Sequence, residues 1–159
     1  MQKPKREQLQ EMFDYIDGNL YHKQKKQRVK VGMKAGSIDA YGYLIINIKG
    51  KKYKAHHLVW AYHYDMYPSM IDHIDGNPSN NHIHNLRIAT ASQNQMNRKL
   101  NKNNRYGVKG LYQLPSMSWA TQIRFNNKII FKSFKEKSEA IQFLNTVRTK
   151  LHGDYARFQ

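Results

Sequence analysis

Asp72 and His73 stand side by side in the segment Ile71-Asp72-His73-Ile74-Asp75-Gly76-Asn77-Pro78, and Asn85 and Asn94 follow. A carboxylate, an imidazole and two amide oxygens suit phosphodiester hydrolysis. In that reaction water must be deprotonated, charge on the phosphate oxygens must be offset, and the leaving 3′ oxygen must be stabilised. An imidazole of near-neutral pKa can do the first, and a divalent cation can do the other two. Amide oxygens are acceptable ligands for a hard Mg²⁺-type cation, alongside a carboxylate and several waters. Asn94 can close such a site. Asn85 can hydrogen-bond backbone or imidazole and hold the histidine tautomer.

Neighbouring side chains on a strand point to opposite faces. For Asp72 and His73 to serve one site, they need a kinked or terminal strand position, which the loop at Gly76 and Pro78 permits. Asn85 to Thr90 alternates and predicts a second strand; Thr90 or Ser92 can cap a helix running through Asn97. The expected order is therefore strand, long loop, strand, helix. Upstream, Asn19-Leu20-Tyr21 follows the Asp17-Gly18 turn signal. Tyr43 to Ile48 and Tyr53 to Ala55 read as a hairpin through Lys49-Gly50. Lys23 to Lys34 reads as a solvated loop, and His57 to Tyr64 as a short helix before Pro68. His82 and His84 read as solvent-facing loop residues. Downstream, Arg98 to Arg105 is polar and basic without an apolar period, as a linker is. Three strands are expected over Tyr106 to Pro115, Met117 to Asn126 and Ile129 to Phe134, with Asn126-Asn127 the tightest turn signal. Ser138 opens a helix through Leu151, with Ala140, Phe143, Leu144, Val147 and Leu151 on one stripe, and Gly153 ends it.

The bulk composition agrees with a polyanionic partner. In 159 residues, 27 Lys and Arg face 11 Asp and Glu, a formal charge of +16. The unpaired surplus makes a positive field that suits nucleic acid. There is no Cys, which excludes disulfides, thiolate nucleophiles and Cys-ligated zinc. No segment reads as a membrane span, a secretory signal or an amphipathic membrane face. The expected compartment is a cytoplasm.

The run His56-His57-Leu58-Val59-Trp60, then Ile71 to Asn77, Asn80-Asn81, Asn85-Leu86-Arg87, Thr90 and Asn94 resembles the HNH endonuclease family. It is most similar to the phage and intron-homing branch, in which Asn replaces the last His of the motif. The resemblance implies an α+β chain with a ββα-metal core, two strands and a helix around one divalent cation, Mg²⁺ or else Mn²⁺, with neither zinc nor an organic cofactor. It implies Asp72 and Asn94 as metal ligands, His73 as general base and Asn85 as the residue that orients the base. His56 matches a recurrent His without a catalytic role. Arg87 can face phosphate or cover the sheet, and Arg98 and Lys99 are expected on DNA. The expected organisation is a nuclease domain over residues 1–99, with the ββα-metal motif at about 70–99, and a basic linker at 100–105.

Residues 106–159 resemble the ERF-type DNA-binding domain, a three-stranded antiparallel sheet backed by a helix. Gly107-Val108-Lys109-Gly110-Leu111-Tyr112, Trp119-Ala120, Ile123-Arg124, Phe134, Ser138-Glu139-Ala140 and Leu151-His152-Gly153 carry that resemblance. It implies that Lys109, Tyr112, Gln122, Arg124 and Lys128 face double-stranded DNA. Tyr112, Leu114 and Ser116 stand where that family has Arg or Trp. The expected protein is a metal-dependent DNA endonuclease encoded by a phage or mobile element, a monomer or transient dimer on DNA. The rival is a non-catalytic DNA-binding protein on a degenerate scaffold.

Overall fold

The computed structural model describes residues 2–25, 27–101, 103–125 and 128–156. It comprises two compact units, Met1–Thr90 and Ala91–Gln159. Both are mixed assemblies of small antiparallel sheets and helices. No helix of the described residues is long and apolar enough to cross a membrane.

The first unit opens with α1 (Arg6–Met12), a helix that the sequence reading did not foresee. Seven residues are too few for a helix that stands alone in water. It persists because Leu9 is fully buried and because Asp65, 59 positions away, accepts the Arg6 N–H at 2.8 Å. A carboxylate at a helix N-terminus offsets the unpaired N–H groups there. Strands β1 (Phe13–Ile16) and β2 (Asn19–His22) follow as an antiparallel hairpin. Asp17 and Gly18 form its turn with φ of 45° and 79°, the pair of positive angles that suits the twist of a two-residue hairpin.

Next come β3 (Ser37–Ile38), β4 (Leu44–Ile48) and β5 (Lys51–Lys54), a three-stranded sheet whose β4–β5 hairpin is the expected one. Helix α2 (Ala55–Tyr64) leaves β5 directly, two positions before the expected start at His57. Its inner face buries Ala55, Leu58, Val59 and Ala61 against Leu9, Phe13, Leu20 and Ile46. Strand β6 (Ile71–His73) pairs antiparallel with β7 (Leu86–Ile88), setting Asp72 opposite Arg87 and His73 opposite Leu86.

The second unit begins with α3 (Ala91–Met96), ahead of the expected linker at 100–105. A physical tie explains the grouping. The Lys109 ammonium donates to the carbonyls of Met96, at 3.3 Å, and of Arg98, holding the unpaired C-terminal carbonyls of α3. Strands β8 (Leu111–Gln113), β9 (Trp119–Phe125) and β10 (Lys128–Phe134) form one antiparallel sheet with β9 central. β8 is shorter than the sequence suggested. The Asn126-Asn127 turn lies outside the described residues. Helix α4 (Lys137–His152) packs Ala140 and Leu144 on Leu111 and Ile123. Four residues beyond Leu144, on the same buried stripe, stands Arg148, only 4 % exposed.

Candidate active site

All three residues of β6 are buried, and its two polar side chains have different partners. Asp72 meets the Arg87 guanidinium across the strand pair. Nε and Nη2 donate to one carboxylate oxygen, Oδ2, at 2.9 and 2.8 Å. Directly opposed residues on paired strands have close Cβ atoms, so the register itself makes this ion pair. His73 places Nε2 at 3.0 Å from Asn81 Oδ1. Its ring also meets His56 edge to face, with centroids 4.9 Å apart, and Tyr43 at 6.2 Å.

The loop after β6 is built from side-chain to backbone bonds, the chemistry in which Asp, Asn and Ser excel. Asp75 Oδ1 accepts the Asn77 N–H at 2.8 Å and an Asn85 amide N–H at 3.0 Å, while Asp75 Oδ2 accepts from Asn80 at 2.8 Å. Asn77 Oδ1 accepts from the Ser79 backbone and hydroxyl. Asn85 also accepts the Asp75 N–H at 3.0 Å and donates to the Asn80 carbonyl at 2.8 Å. Its side chain is therefore spent on the loop and not on the His73 ring. The ring partner is Asn81, which is 1 % exposed and donates its own amide N–H to the Ser79 carbonyl at 3.3 Å.

Two contacts from the first hairpin brace the loop. The Tyr15 hydroxyl accepts the Ile83 N–H at 2.9 Å. Gly18 presses on the same stretch: a Cβ there would stand 2.6 Å from the His82 nitrogen.

Burial governs the titration of the histidines. It lowers His73 below the ordinary imidazole range, while the Asn81 hydrogen bond and the carboxylates of Asp75 and Asp72 partly oppose the shift. Burial, reinforced by His57, His73 and Lys54, pushes His56 down to about 2. His57 is lowered by burial and by Lys3 and Lys54. Desolvation raises the Asp75 carboxyl, but its hydrogen bonds from Asn77, Asn80 and Asn85 outweigh that and hold it below its ordinary value. Buried histidines are thus neutral at neutral pH, the form in which an imidazole can accept a proton.

Among the described residues, no three His, Cys, Asp or Glu side chains converge as a cation cage. The expected donor set, one carboxylate and one amide oxygen, is the sparse all-oxygen kind that suits a cation retaining most of its waters. A carboxylate offers about four acceptor positions, so the Arg87 pair on Oδ2 does not by itself exhaust Asp72. By chemical type, a carboxylate and an amide oxygen are donors that a hard divalent cation accepts.

The remaining expected residues divide between the units. Asp72, His73, Asn85 and Arg87 come together in the first. Asn94 lies exposed on α3 in the second, with Arg98 and Lys99 exposed just beyond it. Tyr112, Gln122 and Arg124 share one face of the second sheet. Tyr112 pairs with Ala120, and Ala120, Gln122 and Arg124 alternate along β9. Lys128 pairs with Phe125 and so falls on the opposite face. Lys109 directs its ammonium to the Met96 and Arg98 carbonyls. Asn81 is the residue that sequence reasoning passed over: it sits inside the quoted motif, but nothing in its spacing distinguishes it from Asn77 or Asn80. Only its burial does.

The family model described as HNH endonuclease matches residues 53–96. That span runs from β5 through the end of α3 and contains Asp72, His73, Asn81, Asn85 and Asn94. Protein 3.8 of Escherichia phage T7 is 36 % identical to this chain over 90 residues, covering 56 % of this chain and 74 % of that protein. No solved structure matches it significantly.

Proposed function

We propose, on the premise that this chain belongs to the HNH endonuclease family, that it hydrolyses phosphodiester bonds in double-stranded DNA with His73 as general base. The observation that carries the reading is the His73–Asn81 bond. Asn81 gives its N–H to the Ser79 carbonyl and turns its oxygen to the ring. An oxygen acceptor there requires the hydrogen on Nε2, which leaves the lone pair of the neutral imidazole on Nδ1. Nδ1 then takes a proton from water as its oxygen attacks phosphorus; the bond from phosphorus to the 3′ oxygen breaks, and the leaving oxygen is protonated from solvent. Asp75 and Asn85 hold the loop that carries Asn81, and Arg87 orients the Asp72 carboxylate.

Asp72 and Asn94 would hold one divalent cation, Mg²⁺ or Mn²⁺, which when bound offsets charge on the phosphate and the leaving oxygen. The assignment of Asn94 follows the family motif, whose matched span includes α3. The exposed sheet face carrying Tyr112, Gln122 and Arg124 is proposed to dock on the duplex, with Arg98 and Lys99 on the backbone; Lys128, on the opposite face, is left out of that surface. The positive charge supports such docking.

A plasmid-nicking assay with Mg²⁺ or Mn²⁺, against EDTA, tests the reading. Cleavage is expected with metal and none with EDTA, and His73→Ala should abolish cutting while leaving duplex binding intact. Undiminished cutting by that variant would sink the assignment of the base. Binding without metal-dependent cutting by the wild type would favour the non-catalytic alternative.

A further inference from the structure

In the second unit a cavity of about 690 Å³ opens between α3, β9 and α4. Five Lys or Arg residues line it (Arg98, Lys99, Lys109, Arg124 and Arg148), and among the described residues no Asp or Glu does. We propose that this cavity is an oxyanion site that takes a phosphate group, with Arg148 as its buried anchor. The inference does not depend on the nuclease reading, because binding a phosphate here requires no cleavage.

Arg148 carries the argument. It occupies the position of a core residue, one turn after Leu144 on the stripe of α4 that packs on the sheet. A guanidinium is charged at any ordinary pH and is costly to bury without an anion. Arg148 is 4 % exposed, and among the described residues no carboxylate meets it. Its Nη2 donates to the Lys109 carbonyl, while its Nη1 is buried with no hydrogen-bond partner. The same region holds both ring nitrogens of His152, buried and, among the described residues, without a hydrogen-bond partner. The Arg148 Nη1–H, and the single N–H of a neutral His152 ring, are buried donors that need an acceptor. Here they line a cavity wide enough to admit one, in a cationic setting. The planar fork of an arginine matches two oxygens of a phosphate, and surrounding Lys and Arg add point charge.

A phosphate group can come from the backbone of a nucleic acid or from free phosphate. Both present the same tetrahedral oxyanion, and one experiment separates them. The full chain is titrated with inorganic phosphate and, at matched ionic strength, with chloride. The readouts are thermal unfolding and the arginine side-chain N–H signals in nitrogen-15 spectra. The expected result is a phosphate-specific rise in Tm, as a ligand of the native state produces, together with a shift of one buried arginine signal. Arg148→Lys retains charge but loses the fork and should weaken phosphate binding by about tenfold. Arg98→Ala and Arg124→Ala, at exposed positions, keep the test valid if an Arg148 variant fails to fold, and each should weaken it several-fold. A short duplex is then added in EDTA. Displacement of bound phosphate assigns the site to the DNA backbone, and simultaneous binding assigns it to free phosphate. Phosphate acting no differently from chloride would overturn the proposal, as would unchanged affinity in all of the folded variants. In either case Arg148 would be only a structural residue.

Discussion

Nε2 of His73 lies 3.0 Å from Oδ1 of Asn81, a side chain that is almost wholly enclosed. The bond orients the ring and selects its tautomer, so it links the packing of a loop to the atom proposed to accept the proton. Asn81→Ala should therefore lower kcat with little change in KM, because the substrate does not need the tautomer to bind. The loss should be at least about tenfold, bounded by the ~10²–10⁴ that a positioned general base supplies. Asn81→Asp keeps an oxygen acceptor at the same place and should restore most of the rate. Steady-state cleavage kinetics on a defined duplex check both; equal losses in the two variants would point to a structural role alone.

Arg87 and Asp72 form a pair whose side chains are 16 % and 5 % exposed. Removing one member of a buried pair takes away the charge directly opposed to the other, at a cost of about 3–5 kcal/mol. Arg87→Ala should thus destabilise the first unit strongly. Adding Asp72→Asn to that variant should recover much of the loss, since the carboxylate that lost the Arg87 guanidinium becomes neutral. Denaturant unfolding of the two single variants and the double variant measures this. Simple additivity would show that the pair contributes nothing specific.

Gly18 has φ of 79°, and a side chain there would collide with the backbone at His82. Gly18→Ala combines an unfavourable backbone angle with a steric push on the residue after Asn81. It should cost more than about 1 kcal/mol. It should also lower cleavage further than the folded fraction accounts for. Activity normalised to folded protein, compared with a similarly destabilising change elsewhere in the first unit, separates the two effects.

His56 titrates near 2 in the native protein, against an ordinary value of 6.5. The unfolded chain therefore binds the proton first as pH falls. The contribution of this residue to stability is complete above 6.5 and is lost progressively below it, at up to about 1.4 kcal/mol per pH unit. His73, lowered in the same direction, adds to the trend. Trp60 reports on the first unit and Trp119 on the second, so denaturant unfolding followed by Trp60 fluorescence in a Trp119→Phe background isolates it. Stability between pH 6.5 and 4.5 should fall less steeply in His56→Gln. An identical slope in that variant would show that some other group drives acid unfolding.

Local chemistry was legible in the sequence because its causes lie within a few residues. The Asp17-Gly18 and Lys49-Gly50 signals announced two turns, the stripe from Ala140 to Leu151 announced α4, and the crowding of Asp, Asn and Ser after His73 announced a loop. The two strands of the Asp72-His73 segment appeared where expected for the same reason. Helix α1 did not announce itself, since seven residues owe their helicity to Asp65 and to the burial of Leu9. Lys128 and Arg124 were both expected to face DNA, and strand pairing sets the two on opposite faces of the sheet.

The order of Asp72, His73, Asn85 and Asn94, and the positive charge that favours DNA, are properties of the chain, because residue type and spacing carry them. Which asparagine the histidine meets is not such a property. Asn77, Asn80, Asn81 and Asn85 are chemically alike, and only the tertiary structure, by enclosing Asn81 and engaging Asn85 with Asp75, decides which one holds the imidazole. Arg148 follows the same rule: as a letter it is one basic residue among many, and its burial beside a cationic cavity exists only once α4 packs on the sheet. Partners and burial arise from contacts between distant segments, so they become definite only when the chain is folded.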